Sequence, residues 1–138
     1  MSEMNDMVDA LLEASYWVVD LLPVQVPQGS SGRLGEVRRH YVETGKIAAK
    51  KLGVLLRLNC YVDLKVFVAD GDTWCSPTPE ELSVMVGESY LTILCGQSLI
   101  VSDPEDTHIT LFNPSERLLN LMRSLALAEG LFLWRPPQ

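Results

Sequence analysis

Hydrophobic residues recur at helical spacing near both ends of the chain. Met4, Val8 and Leu11 lie three or four positions apart with acidic residues between them, and they predict an amphipathic helix that ends near Ala14. Residues 116–129 carry apolar side chains around most of the helical circumference. This second pattern predicts a helix that packs centrally against a sheet.

Between these helices, short runs of β-branched and aromatic residues predict strands. Gly96-Gln97 separates two of the runs, and its glycine suits the first central position of a two-residue hairpin turn. The predicted strands cover residues 16–22, 56–68, 90–95, 98–103, 107–112 and 131–134.

Capping signals predict where further helices begin. Residues 78–81 combine a threonine N-cap, a proline at the first helical position and a glutamate that closes a capping box, which predicts a helix to about residue 87. Apolar spacing also predicts a helix over 34–42, ended by Thr44-Gly45, and further helical turns over 46–52.

The segment 56–68 has an apolar residue at every even position. A two-residue hairpin would reverse this parity, and no Gly or Pro interrupts the segment, so we predict one long strand that is bent or bulged and ends in a turn at 69–72. A break near residues 61–63 is the alternative. Even positions, including Cys60, would face the core. The odd positions that would face outward include Arg57, Asn59, Tyr61 and Lys65.

The order of these elements is not a strict alternation of strand and helix, and the hairpin makes its strands antiparallel. We therefore predict a single α+β domain over residues 1–138, with one mostly antiparallel sheet of about five or six strands and about four helices packed on one face. A chain of 138 residues with 47% hydrophobic content can bury one substantial core.

The composition also indicates where the protein works. Apolar runs stay far below the roughly 18 residues of a membrane span, and no Lys or Arg precedes Arg33, unlike the basic start of a secretory signal. Cys60, Cys75 and Cys95 form no Cys-x-x-Cys pair, so we expect reduced thiols. The sequence thus predicts a cytoplasmic protein with no membrane partner.

The net charge of −7 is unevenly distributed. Residues 33–57 contain seven Lys and Arg against two Glu, a net of +5, so the remaining residues carry −12. This polarity could steer a protein partner or let two copies associate. Nucleic-acid binding is not favoured, because the chain is acidic overall and has no recognition motif.

Candidate catalytic groups are few. His108 could act as a base with a nearby carboxylate or with Cys75, although no histidine lies near Cys75 in the sequence. Cys60 is better explained as a core residue. The acidic turn 103–108 matches no known metal-ligand spacing, and no glycine-rich loop has a phosphate-binding sequence. We therefore expect no metal and no other cofactor.

The most informative surface is the sheet face that the helices leave open. His108, Thr110 and Phe112 share one face of a predicted strand, and tyrosine, arginine, asparagine and histidine combine apolar area with directional hydrogen bonds. An ordinary solvated sheet face is the alternative. The predicted binding residues are Arg57, Asn59, Tyr61, His108 and Thr110.

Three segments resemble those of a family of small bacterial proteins to which no function is assigned. They are 58–61, 110–114 and 129–137. The resemblance implies a bacterial cytoplasmic origin and provides no functional residue.

Our leading hypothesis is a non-enzymatic interaction module, such as an inhibitor, an immunity-like protein or an adaptor, which binds through the open sheet face or a charged helix. The alternative is a small hydrolase-like enzyme that uses His108 with a carboxylate or Cys75. That alternative requires a concave pocket beside His108 with a second titratable group.

Overall fold

The computed structural model describes residues 2–68 and 73–137. Within them the chain forms five helices and one antiparallel sheet of seven strands, which confirms the predicted α+β class with slightly more helices and strands than expected. None of the described helices is long and apolar enough to cross a membrane. In chain order the elements are α1 (Ser2–Leu11), β1 (Tyr16–Asp20), α2 (Leu34–Glu43), α3 (Lys46–Leu58), β2 (Lys65–Val68), β3 (Trp74–Cys75), α4 (Pro79–Glu88), β4 (Leu91–Cys95), β5 (Ser98–Ser102), β6 (Ile109–Phe112), α5 (Glu116–Ala128) and β7 (Phe132–Trp134).

The strand order in the sheet is β3-β2-β4-β5-β6-β1-β7. β4 and β5 form the predicted hairpin, in which Cys95 pairs with Ser98. Gly96 in its turn has a φ of 61°, a left-handed conformation that glycine adopts without a steric penalty. β1 lies between β6 and β7, so the first and last strands of the chain are neighbours at one side of the sheet.

The main core lies between α3, α4, α5 and one face of the sheet, which we call the inner face. Val54, Leu55 and Leu58 of α3 recur at helical spacing and are fully buried. Met122 and Ala126 of α5 contribute to the same core. Burial of one such leucine stabilises the fold by about 2 kcal/mol.

The predicted long strand over 56–68 is wrong. α3 continues to Leu58, residues 59–64 form a turn, and the extended segment begins only at β2. A helix buries the apolar residues at the start of this segment, because Val54, Leu55 and Leu58 continue a buried stripe that begins at Ile47. Cys60 is consequently exposed and does not face the core. The turn predicted at 69–72 lies outside the described residues.

α1 differs from the prediction that the helices share one face. Its Leu11 packs with Leu94 and Leu99 on the opposite face of the sheet, which we call the outer face. Asn5 Oδ1 accepts a hydrogen bond of 3.2 Å from Trp74 Nε1. α1 therefore covers the part of the outer face nearest the β4–β5 hairpin.

α5 ends in a Schellman motif, the paired hydrogen bonds that close a helix through a left-handed residue. The Leu131 N–H donates to the Ala126 carbonyl at 2.8 Å, and the Gly130 N–H donates to the Leu127 carbonyl at 3.1 Å. Gly130 has a φ of 74°.

We expect Gly130→Ala to lower the free energy of unfolding by about 1 kcal/mol, because a Cβ at this φ clashes with the backbone. Urea denaturation followed by circular dichroism measures the change. Gly87→Ala is the matched control: an added Cβ in α4 meets open space, so helix propensity makes that variant equal or greater in stability. Equal stability of Gly130→Ala and the wild type would contradict the prediction.

Candidate interaction surface

One row of side chains crosses six strands on the outer face. Successive residues in a strand point to opposite faces, and Ile93, Ile100 and Leu111 point into the main core. Their neighbours in each strand therefore point outward, and the strand register aligns them. From β2 to β7 the row consists of Phe67, Thr92, Val101, Thr110, Val18 and Trp134.

The β6–β1–β7 end of this face lies beyond the cluster that α1 covers. We define the outer-face patch as the residues His108, Thr110, Val18, Phe132 and Trp134. Val18 retains 8% of its accessible surface, and the other four residues are half-buried. Val18, Phe132 and Trp134 belong to neither of the two hydrophobic clusters of the described residues. The patch is thus an apolar surface that is separate from both cores.

Trp134 contributes an unused hydrogen-bond donor to the outer-face patch. Its Nε1 is shielded from solvent and has no acceptor among the described residues. A buried donor without an acceptor costs about 1–3 kcal/mol. The unpaired N–H therefore costs the folded chain some stability, while the half-buried indole ring adds apolar area to the patch.

A buried polar cluster lies at the edge of the patch, centred on Asp20 at the end of β1. Asp20 is only 5% exposed. Its Oδ1 accepts hydrogen bonds from the Thr107 hydroxyl at 2.9 Å and from the Leu21 N–H at 2.7 Å. The Arg38 guanidinium lies 3.7 Å from Oδ2. These contacts tie α2 and the β5–β6 loop to the sheet.

Lys51 of α3 fixes the same loop from the core side. Its ammonium group donates to the carbonyl oxygens of Asp103 at 2.7 Å and Asp106 at 2.6 Å, while the residue is 1% exposed. Burial lowers the pKa of Lys51 from 10.5 to about 8, although the nearby carboxylates of Asp106, Asp103 and Asp20 act in the opposite direction. The β5–β6 loop is therefore held at two of its carbonyls by one side chain.

A groove of about 610 Å³ opens between α2 and the β5–β6 loop. α2 buries none of its residues, so it presents its charged side chains to this groove and to solvent. The lining of the groove contains two guanidinium groups, three carboxylates and the imidazole that also belongs to the outer-face patch. The charged residues and histidine of the lining are Arg38, Arg39, Glu43, Glu105, Asp106 and His108.

The structure separates the five binding residues that the sequence predicted. Arg57 lies in the last turn of α3 and pairs with Glu129 at 2.7 Å. Asn59 caps that helix, where its Nδ2 donates to the Val62 carbonyl at 3.0 Å, and Tyr61 is exposed in the following turn. These three were placed on the sheet by the wrong strand prediction. Only His108 and Thr110 lie together on the outer face, and a binding role for all five stays a prediction.

Tyr61 instead lines a second groove, at the other end of the sheet. This groove has a volume of about 870 Å³ and lies between α1, α5 and the β4–β5 hairpin. Met4 and Met7 of α1 line it together with Tyr61.

The proposed pair of His108 and Cys75 does not form. Cys75 is in β3, four strand spacings from β6, which corresponds to roughly 19 Å. Cys95 is buried next to the β4–β5 turn, at the opposite end of the sheet from the β5–β6 loop. The carboxylates of Glu105 and Asp106 do line the same groove as His108.

Sequence reasoning missed Asp20, Lys51, Thr107 and the free donor of Trp134. Two signals could have indicated the buried charges. Asp20 interrupts an otherwise apolar run, and Lys51 lies four positions after Ile47 on the apolar stripe of α3. In the described part of the chain, no group of three or more His, Cys, Asp or Glu side chains is arranged to hold a metal ion.

Function has to be inferred from the chain's own residues and their geometry. No family model matches the chain, and no curated protein or solved structure is significantly similar to it.

Proposed function

We propose that this chain is a non-enzymatic interaction protein that binds a partner protein through the outer-face patch. The observation that carries the proposal is an aligned row of outward-facing side chains that ends in Val18 and Trp134, an apolar surface that belongs to neither hydrophobic cluster of the described residues. Inhibitors, immunity-like proteins and adaptors are classes of protein that act by binding a partner protein. The position of Thr110 in the middle of the row makes it the residue with which to test the proposal.

The charged groove beside the patch is the basis on which we propose the chemistry of the partner. Protein interfaces commonly have an aromatic or aliphatic centre and a charged rim. Arg39 forms no ion pair with the described residues, and the contact of Arg38 with Asp20 is long. We infer that the partner places an apolar surface on Phe132 and Trp134 and an acidic side chain near Arg39.

A reducing compartment is part of the proposal, with the cytoplasm of a bacterium as the suggested location. Cys60, Cys75 and Cys95 are all free thiols, and Cys60 is exposed. Free exposed thiols are typical of proteins in reducing compartments.

Photo-cross-linking identifies the partner and a binding assay tests the surface. A photo-reactive amino acid at position 110 is expected to cross-link the partner in cells, whereas the same amino acid at exposed Ser83 of α4 is not. With the purified partner, Thr110→Arg is expected to weaken binding at least 20-fold, because the charge is desolvated at the centre of the interface.

Ser83→Arg is the matched control, since it introduces the same charge on the other side of the molecule. We expect its affinity to stay within twofold of the wild type. Equal affinities of Thr110→Arg and Ser83→Arg for the cross-linked partner would show that the patch is not the binding surface.

A hydrolase-like enzyme is the second candidate, because the groove beside His108 contains the carboxylates of Glu105 and Asp106. An imidazole and a carboxylate in one groove can act as general base and acid. Turnover of an ester or amide that is lost in His108→Gln and retained in Thr110→Arg would favour this candidate over the interaction protein.

A further inference from the structure

β7 is an edge strand of the sheet. It pairs with β1 on one side and has no strand partner on the other among the described residues. β7 consists of Phe132, Leu133 and Trp134, carries no charged residue and is followed by Arg135 and two prolines. Natural proteins usually protect edges with charges, prolines, bulges or a covering segment, because unpaired backbone groups and apolar side chains recruit another strand. Arg135 and Pro136 therefore limit any pairing along this edge to the three residues of β7. β3, at the other edge, is only two residues long.

We propose that two copies of this chain associate by antiparallel pairing of their β7 strands, centred on Leu133. This inference goes beyond the proposed function, since the partner protein docks on the face of the sheet and the second copy docks on its edge. The product is one continuous sheet made of the two seven-stranded sheets, in which the outer-face patches of both copies lie side by side.

The sequence of β7 is complementary to itself in this register. Two-fold pairing at Leu133 places Phe132 of each copy opposite Trp134 of the other, and both side chains lie on the outer face. Aromatic pairs across neighbouring strands are among the favourable cross-strand contacts. Leu133 faces the main core and meets Leu133 of the second copy, which extends the core across the junction.

Charge distinguishes this edge pairing from an association of the acidic and basic segments. Each copy carries −7, so two copies repel each other through solvent, while the paired strands themselves are uncharged. Salt screens that repulsion. The edge-paired dimer is therefore expected to become tighter as salt increases, whereas a dimer of oppositely charged segments becomes weaker.

Sedimentation equilibrium of the full chain at about 20 mM and about 500 mM salt measures the association, since the Debye length falls from about 20 Å to about 4 Å between them. We expect dimers at high salt and an association constant at least threefold larger than at low salt. Trp134→Lys is expected to lower that constant at least tenfold, because it replaces both aromatic pairs by charges. Thr92→Lys, on β4 in the interior of the same face, is the control and is expected to stay within threefold.

Hydrogen exchange of the wild-type chain provides a measurement that needs no variant. Amides of residues 132–134 are expected to become more protected as the protein concentration rises, while those of β3 are unaffected. A monomer at about millimolar concentration in high salt, a dimer that weakens with salt, or a folded Trp134→Lys protein that dimerises normally would each overturn the proposal. Thr110→Arg separates the two proposals, because it is expected to weaken partner binding at least 20-fold and to leave the dimer intact.

Discussion

Asp20→Ala is expected to lower the free energy of unfolding by about 3 kcal/mol, more than any ordinary surface substitution in this chain. The side chain is 5% exposed and accepts hydrogen bonds from the Thr107 hydroxyl and the Leu21 N–H. Alanine leaves both donors without their acceptor. It also removes a carboxylate that faces the buried ammonium of Lys51 and the guanidinium of Arg38.

Urea denaturation monitored by tryptophan fluorescence and circular dichroism measures this change. Asp20→Asn separates charge from hydrogen bonding, because its side-chain oxygen can still accept from Thr107, and we expect it to lose about half as much stability. Asp63→Ala is the control: the Asp63 side chain is 71% exposed, so its removal is expected to change stability by less than about 0.5 kcal/mol.

A double-mutant cycle tests whether the Asp20–Thr107 contact itself is responsible. Thr107→Val removes the hydroxyl and keeps the shape of the side chain. In the Thr107→Val background, Asp20→Ala is expected to lower the free energy of unfolding by at least about 1 kcal/mol less than it does in the wild type. The reason is that Thr107→Val has already removed the hydrogen bond between the two residues. Additive effects of the two substitutions would contradict a direct stabilising bond.

The fold class could be predicted from local signals that act over only a few residues. The capping box at Thr78 forms with both of its hydrogen bonds, and the β4–β5 hairpin turns at Gly96 as its glycine predicts. The strand over 56–68 could not be excluded by such signals, because its even positions suit a strand while Val54, Leu55 and Leu58 suit a helix. Tertiary packing of α3 against α4 and α5 decides between the two periods.

The candidate site was predictable only in part, for a similar reason. His108 and Thr110 share a face because strand parity is local, so their common position on the outer face followed from the sequence. Arg57 and Tyr61 were assigned to that face through the wrong strand. The contact between Asp20 and Thr107 spans 87 positions, and neither capping nor periodicity carries information over that distance.

The buried polar cluster around Asp20 holds residues next to the outer-face patch in place. The Thr107 hydroxyl donates a hydrogen bond to Asp20, and the next residue, His108, belongs to both the patch and the lining of the groove. Lys51 holds the same loop through two carbonyls. A binding surface gains affinity when its residues are already held in place before the partner arrives. The two charged residues therefore have a structural role that supports the proposed interface.

Lys51→Met is expected to lower the free energy of unfolding at pH 7 by about 3 kcal/mol and to change how stability depends on pH. Methionine leaves the carbonyls of Asp103 and Asp106 without their donor and the carboxylate of Asp20 without a nearby ammonium. Below pH 8 the lysine is protonated in both the folded and the unfolded chain, so the cost of burying the ammonium group is fully present in the wild type.

Between about pH 8 and pH 10.5 the folded wild type releases this proton while the unfolded chain keeps it, because folding lowers the pKa of Lys51 from 10.5 to about 8. The unfolded state then binds more protons, and stability rises with pH by up to about 1.4 kcal/mol per pH unit from this group. We expect the difference in unfolding free energy between the wild type and Lys51→Met to grow from pH 8 to pH 10 in urea titrations. Lys46→Met, which removes an exposed lysine, is expected to keep the pH dependence of the wild type. A difference that stays constant or shrinks over this range would show that burial of Lys51 does not disfavour its charged form.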